Sequence, residues 1–238
     1  MEQNPTNRRH FLKGALVGSA AAVGGVLPGG AHAESKTATA AVDPNANRGY
    51  VFLNLEEQGF IESVVDHMIP ADALSPKGTD IGINIYIDRA LANGWGKGER
   101  LYNHGPWKKG LPTQGYQLSL TPAELYRVCI TKSNLACIDR YGKAFDQLPA
   151  AQRQEFLVAL STGKVEFIGG PSSKTFFDML YQNVMEGMFS DPIYGGNQNK
   201  AGWKLIGFPG AISLHAQDVE TYLDKKYTAP IFSISDLS

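Results

Sequence analysis

The chain has 238 residues, of which 43% are hydrophobic and 19% are charged, a composition that can bury one sizeable core and requires no second domain. Its 22 basic and 23 acidic side chains leave no positive excess, which argues against nucleic acid as a partner, because a nucleic-acid-binding protein needs a basic surface to displace counterions from phosphates. The 26 glycines predict helices that alternate with long, apolar loops.

Segment 1–33 has the pattern of a twin-arginine signal peptide. Two adjacent arginines precede a Phe-Leu-Lys run, and these residues form the predicted export signal: Arg8, Arg9, Phe11, Leu12 and Lys13. The uncharged stretch over 14–27 is shorter and richer in glycine than a membrane anchor, which needs about 20 strongly apolar residues. The small side chains of Ala31 and Ala33 predict cleavage between Ala33 and Glu34, which leaves a mature chain with a net charge of about −3.

The export route itself predicts a partner. Twin-arginine export moves folded proteins, typically those that already hold a cofactor, yet this sequence has no motif for covalent haem, an iron-sulfur cluster or a dinucleotide. Its histidines have no metal-ligand spacing, and its serines stand in no hydrolase motif. We therefore predict no catalytic, cofactor-binding or metal-binding residue in this chain, and co-export with a cofactor-loaded partner that lacks its own signal.

Residues 34–49 are small and polar and are predicted to link the signal peptide to a helical domain over 50–238. A capping box of Asn54 and Glu57 predicts the start of the first helix, which Pro70 ends. The remaining helices are predicted over 81–92, 121–145, 149–161, 173–189 and 216–226, and the first of these also alternates as a strand would. Because no hairpin or repeat is visible, the predicted fold class is all-α: a single irregular helical domain with long loops rich in glycine and aromatic residues.

Residues 93–120, here called the aromatic loop, have no clear period. Loops longer than about 15 residues in a compact domain are usually lids or partner-binding segments. The large aromatic side chains argue against disorder. Three of them are predicted to contact a partner: Trp95, Trp107 and Tyr116.

Cys129 and Cys137 are the only two cysteines. Eight residues apart on one predicted helix, their Cα atoms would lie about 12 Å apart. A disulfide requires about 4.4 to 6.8 Å, so the two cannot bridge each other. Two interpretations stay open: both are buried thiols that act as small apolar residues, or one of them forms an intersubunit disulfide in an oxidising compartment.

Residues 191–200, here called the glycine-framed loop, form the most distinctive stretch. Asp191 and Pro192 end a helix, and Gly195, Gly196 and Asn197 are expected to adopt backbone angles closed to most residues. Aromatic side chains around this loop could complete the chain's own core or be presented to a partner. The predicted interface residues are Asp191, Pro192, Tyr194, Gly195, Gly196, Asn197 and Trp203.

The run 191–197 with 202–210, together with 66–72 and 87–91, resembles the gluconate 2-dehydrogenase subunit 3 family over most of the mature chain. The resemblance implies the small, signal-bearing gamma subunit of a periplasmic, membrane-associated heterotrimer. Its partners would be a large FAD-containing subunit and a multihaem cytochrome c subunit, which carry the FAD and the haem c and provide the membrane association. It further implies oxidation of D-gluconate to 2-dehydro-D-gluconate, with no catalytic residue in this subunit.

Two alternatives accompany this prediction. The chain could be an independent periplasmic protein whose aromatic loops stack on a sugar. It could also serve a related glucose, fructose or polyol dehydrogenase, since close relatives within the resembling family do so. The aromatic loop favours the gluconate type.

Overall fold

The structure is a computed structural model that describes residues 49–102, 104–108, 110–211 and 218–237. Several predicted residues lie outside these ranges, namely the export signal (Arg8, Arg9, Phe11, Leu12 and Lys13), the cleavage site (Ala33 and Glu34) and positions 34–48 of the linker. The described ranges contain seven α-helices and several one-turn 3-10 helices, and no β-strand. The predicted all-α class, with a single helical domain, is confirmed.

The α-helices of the described residues follow one another with loops of very different length. They are α1 (Leu55–Met68), α2 (Ile83–Ala92), α3 (Pro122–Tyr141), α4 (Ala150–Ser161), α5 (Ser173–Phe189), α6 (Ala201–Ile206) and α7 (Asp218–Thr221). The aromatic loop between α2 and α3 contains only a short 3-10 helix, Pro112–Gln114. The five longer helices were all predicted from the sequence.

Local chemistry fixes the starts of two helices. At α1, the amide of Glu57 donates to Asn54 Oδ1 (3.0 Å) and the Glu57 carboxylate accepts from the Asn54 amide (2.9 Å). Thr121 and Glu124 form the same reciprocal box at the start of α3. Both boxes satisfy amides that have no partner within the helix, so the predicted starts are confirmed.

Two predicted helices end earlier than expected, and one helix was not predicted. Helix α3 ends at Tyr141, before the predicted Phe145, because Gly142 adopts a left-handed backbone (φ 76°) that stops the helix. Helix α6 was not predicted, since six residues give too little periodicity. Helix α7 is described only over Asp218–Thr221, and the left-handed Asp224 (φ 57°) keeps it from reaching 226.

Aromatic rings fill the centre of the helical domain. The ring centroids of Phe60 and Phe145 lie 4.9 Å apart, and those of Tyr126 and Phe176 lie 5.5 Å apart. The Tyr126 hydroxyl donates a 2.6 Å hydrogen bond to Asn183 Oδ1, which links α3 to α5 inside the core. Helix α5 also packs against α2 and α4, so this core sets the position of α5 relative to α2.

The start of the described domain is attached to α2 by the buried carboxylate of Asp88. It accepts hydrogen bonds from three successive backbone amides, those of Val51 (2.8 Å), Phe52 (3.0 Å) and Leu53 (2.8 Å). Arg127 on α3 adds a second attachment, because it donates to the Phe52 carbonyl and its guanidinium lies 4.3 Å from the Phe52 ring centroid. Residues 51–53 are therefore part of the folded domain.

Candidate functional site

A cleft of about 550 Å³ lies between α2 and α5. Both predicted partner-binding segments reach it, since Trp95 of the aromatic loop and Tyr194 of the glycine-framed loop line its walls. Polar lining residues come from both helices and from the loop that follows α5: Tyr86, Arg89, Glu186 and Asp191. The cleft is therefore the place where the two predicted segments come together.

Close packing of the two helices depends on Gly187 of α5. A Cβ atom at Gly187 would lie 3.1 Å from Ile83 Cγ2 and 3.1 Å from Tyr86 Cδ1, both on α2. Such distances are tighter than normal contact, so a side chain at this position would push the helices apart. The Gly187 backbone also receives the glycine-framed loop, because a Cβ at Gly196 would lie 2.2 Å from the Gly187 carbonyl oxygen.

The two central glycines of the glycine-framed loop serve different purposes. Gly195 has a φ of 103°, as expected for a backbone angle closed to other residues. Gly196 has no left-handed φ, so the same expectation was wrong for it; glycine is needed there for the close approach to α5. Asn197 has the left-handed angle that was expected of it (φ 49°), and two further residues with a Cβ have one as well: Asn199 (φ 55°) and Lys200 (φ 57°).

Asn197 and Trp203 lie inside the chain. Asn197 is fully buried; its Oδ1 accepts from the Gly202 amide (2.8 Å) and its Nδ2 donates to the Ser190 carbonyl (2.8 Å). Trp203 is 5% exposed, and its Nε1 donates to the Phe189 carbonyl (2.7 Å). The predicted partner contact does not fit this burial, and both side chains instead connect α5 to α6.

The glycine-framed loop exposes two apolar side chains and the polar Asn199. Ile193 is 43% exposed and Tyr194 is 57% exposed, and across the cleft Trp95 is 41% exposed. Two other predicted interface residues, Trp107 and Tyr116, do not line the cleft. Tyr116 is partly buried and its hydroxyl donates to the Leu120 carbonyl (2.7 Å), so that side chain stabilises its own loop.

Hydrogen bonds hold two carboxylates at the cleft. Glu186 accepts from the Tyr86 hydroxyl (3.2 Å), from Gln182 Nε2 (2.8 Å) and from Asn183 Nδ2 (3.1 Å). Asp191 Oδ1 accepts from the Ile193 amide (3.0 Å), which starts a 3-10 helix over Pro192–Tyr194. Burial raises the pKa of Tyr86, and the nearby Glu186 charge raises it further, so Tyr86 stays a neutral donor.

Sequence reasoning missed Tyr86, Arg89 and Glu186 as site residues. A signal was available for the first two, because positions 86 and 89 are three apart and share one face of a helix. The Arg89 side chain passes beside the glycine-framed loop, since a Cβ at Gly195 would lie 3.3 Å from its Cδ. Among the described residues, no three His, Cys, Asp or Glu side chains are grouped closely enough to hold a metal ion.

Cys129 and Cys137 both lie on α3 with 0% exposure. Burial raises the pKa of each thiol to about 12, which disfavours the reactive thiolate. Neither side chain is available to a cysteine of another chain, so the predicted intersubunit disulfide does not fit the structure. The alternative interpretation, two buried apolar thiols, does.

We expect both thiols of the native mature chain to resist a maleimide reagent at pH 7 to 9, because a pKa of about 12 leaves almost no thiolate in that range. A free exposed thiol would react faster across this interval, since its pKa is about 8.5. Denaturant should make both cysteines reactive, which serves as the control. A reducible band that joins this chain to another subunit on a non-reducing gel would contradict the expectation.

Comparison with known families gives two matches. The twin-arginine translocation pathway signal sequence matches residues 5–25, which shows export out of the cytoplasm. No helix within the described ranges has the length and apolar character needed to cross a membrane. A search of curated proteins and a search of solved structures each returned no match.

The second match is to gluconate 2-dehydrogenase subunit 3, over residues 55–210. This range begins with α1, extends past α6 and contains every residue of the cleft. The family name describes one subunit of a multi-subunit dehydrogenase. Because the match covers most of the chain, this protein belongs to the gluconate 2-dehydrogenase subunit 3 family.

Proposed function

We propose that this chain is the accessory gamma subunit of a periplasmic, membrane-associated, FAD-dependent gluconate 2-dehydrogenase. In this proposal a large FAD-containing subunit oxidises D-gluconate to 2-dehydro-D-gluconate. A multihaem cytochrome c subunit then takes the electrons towards quinone. FAD and haem c belong to these partners, which also provide the membrane association, and this chain contributes no catalytic residue. The family match and the export signal support the proposal.

The observation that carries the proposed docking role is the exposed apolar edge of the cleft, formed by Trp95 and Tyr194, with the exposed Ile193 next to Tyr194 in the loop. A protein interface gains most from a few large side chains that are already held in place before binding. Tyr194 meets this condition, because the buried glycines behind it and the buried Asn197 fix the backbone of the loop. We therefore place the flavin subunit on this edge.

The export signal supports a second role, in maturation. A signal on a chain that binds the flavin subunit would carry both through a translocase that accepts folded proteins. The flavin subunit would then need no signal of its own. On this proposal, the accessory subunit binds its partner in the cytoplasm and crosses the membrane with it.

The docking role is tested by a variant with both Trp95→Ser and Tyr194→Ser. We expect a loss of about 2 kcal/mol or more in binding, which corresponds to about a 30-fold lower affinity for the flavin subunit. Biolayer interferometry with the purified flavin subunit measures it, and circular dichroism verifies that the helices persist.

Tyr181→Ser provides the matched control for this experiment. Tyr181 is also an exposed aromatic residue, but it lies on α5 in a different groove, stacked on Phe177 with ring centroids 6.2 Å apart. It should leave the affinity unchanged. Wild-type affinity in the double variant would exclude this edge as the docking surface.

A second candidate function is sugar binding by the chain itself. The cleft places Trp95 and Tyr194 beside the carboxylates of Glu186 and Asp191, and aromatic faces with a few fixed polar groups are typical of small-molecule sites. Calorimetry of the purified mature chain with gluconate and with glucose distinguishes the two functions. Binding that is lost on Tyr194→Ser would favour this candidate. Substrate assays on the whole complex would separate gluconate from glucose, fructose or polyol oxidation.

A further inference from the structure

Residues 230–236, here called the C-terminal strap, lie beyond the region matched by the family and run back to the glycine-framed loop. The Ala211 amide donates to the Phe232 carbonyl (2.8 Å), next to an isolated parallel bridge between Gly210 and Phe232. Gly210 permits this approach, since it has a φ of 95° and a Cβ there would lie 2.1 Å from the Phe232 carbonyl oxygen. The strap is therefore packed against the end of the family-matched region.

Two side chains of the glycine-framed loop hold the strap. Asp191 Oδ2 accepts from the Ile234 amide (2.8 Å), while its Oδ1 caps the 3-10 helix that carries Tyr194. Lys200 Nζ donates to the Ile231 carbonyl (2.8 Å) and lies 2.6 Å from Asp236 Oδ2. These contacts lie at the two ends of the loop, so the strap connects residue 191 with residue 200.

The loop needs such support because its backbone is strained. Asn197, Asn199 and Lys200 all have left-handed angles, which asparagine tolerates but which are unfavourable for lysine. Residues with unfavourable backbone angles are found only where the surrounding structure holds them in place. Asn197 is held from inside by its amide bonds, whereas the Lys200 side chain is held by Ile231 and Asp236 of the strap.

We propose that the C-terminal strap is a positioning device that keeps the glycine-framed loop in the conformation that presents Ile193 and Tyr194 to the flavin subunit. The proposal has two parts. The first, that the strap holds the loop in place, concerns this chain alone, whereas the second, that this aids binding of the flavin subunit, rests on the proposed function. The two parts are therefore measured separately.

Hydrogen–deuterium exchange of the full mature chain tests the first part. We compare the wild type with a variant that ends at Ala229 and with Asp236→Ala, which removes the ion pair with Lys200 and the hydrogen bonds to Ser233. Amides of residues 191–202 should exchange about tenfold faster or more in both variants, as expected for the loss of charge-assisted hydrogen bonds, while those of α1 and α3 should not change. Asp139→Ala, an exposed position on α3, is the control.

Unchanged exchange over 191–202 in the shortened chain would overturn the proposal. If the shortened chain does not fold, Asp236→Ala decides the question in the same way. The second part is tested by affinity for the flavin subunit, which should fall in both variants. Wild-type affinity despite faster exchange would overturn the presentation role, whereas failure of the wild-type chain to bind the flavin subunit would overturn the proposed function instead.

Discussion

On the proposed co-export, replacing Arg8 and Arg9 together by lysine is expected to stop the export of this chain and of the proposed flavin subunit. Lysine keeps the positive charge but lacks the planar, multi-donor guanidinium, so a receptor that recognises the arginine pair loses its geometry. The proposed gluconate-oxidising activity should then remain in the cytoplasm. Cell fractionation with an activity stain measures the distribution of the flavin subunit, and immunoblotting measures that of this chain.

Arg100→Lys is the matched control for this experiment, since it makes the same substitution at an exposed position in the mature domain. It should leave the activity in the periplasm. Two results of the Arg8/Arg9 variant would contradict co-export. One is normal periplasmic activity; the other is a retained accessory chain with an exported flavin subunit, which would show an independent route.

Helix starts could be predicted because the chemistry that fixes them is local. Asn54 with Glu57, and Thr121 with Glu124, satisfy amides only three residues away, so both boxes are visible in the sequence. The end of α3 is less visible. It depends on the left-handed backbone angle of Gly142, and the sequence does not show which of its 26 glycines adopt such an angle.

The cleft could be predicted only in part. The sequence indicated the aromatic loop and the glycine-framed loop, but no sequence pattern places Tyr86 within hydrogen-bond distance of Glu186, because the two are 100 residues apart. Nor could the sequence show whether an aromatic side chain points to the surface or into the chain. Tyr194 and Trp203 are both aromatic residues near the same glycines, yet the first is exposed and the second donates its Nε1–H inside the chain.

The environment of the two cysteines could not be predicted either, because it also depends on long-range packing. Their spacing on one helix excluded an internal disulfide, whereas the choice between a buried thiol and an intersubunit bond depended on which helices cover α3. Helices α1 and α5 pack against α3, and both thiols are buried. Long-range packing of this kind is set by the whole core and not by any one segment.

Asp88→Ala is expected to destabilise the folded domain strongly. The substitution leaves the amides of Val51, Phe52 and Leu53 without their common acceptor. The Leu53 amide is buried and cannot turn to water, while Val51 is exposed and can. With about 1 to 3 kcal/mol for each buried donor left unpaired, and less for a hydrated one, the expected cost is about 3 kcal/mol.

Asp88→Asn and Asp80→Ala separate this mechanism from a general effect of charge. An asparagine can keep Oδ1 as the acceptor for Phe52 and Leu53, but its Nδ2 would then face the Val51 amide, donor against donor, so an intermediate loss is expected. Asp80 is exposed and forms only a 3.9 Å surface ion pair, so its removal should have little effect. The midpoints of thermal unfolding, measured by circular dichroism, are expected to fall from Asp80→Ala through Asp88→Asn to Asp88→Ala. A midpoint for Asp88→Ala equal to that of Asp80→Ala would show that residues 51–53 contribute nothing to the stability of the domain.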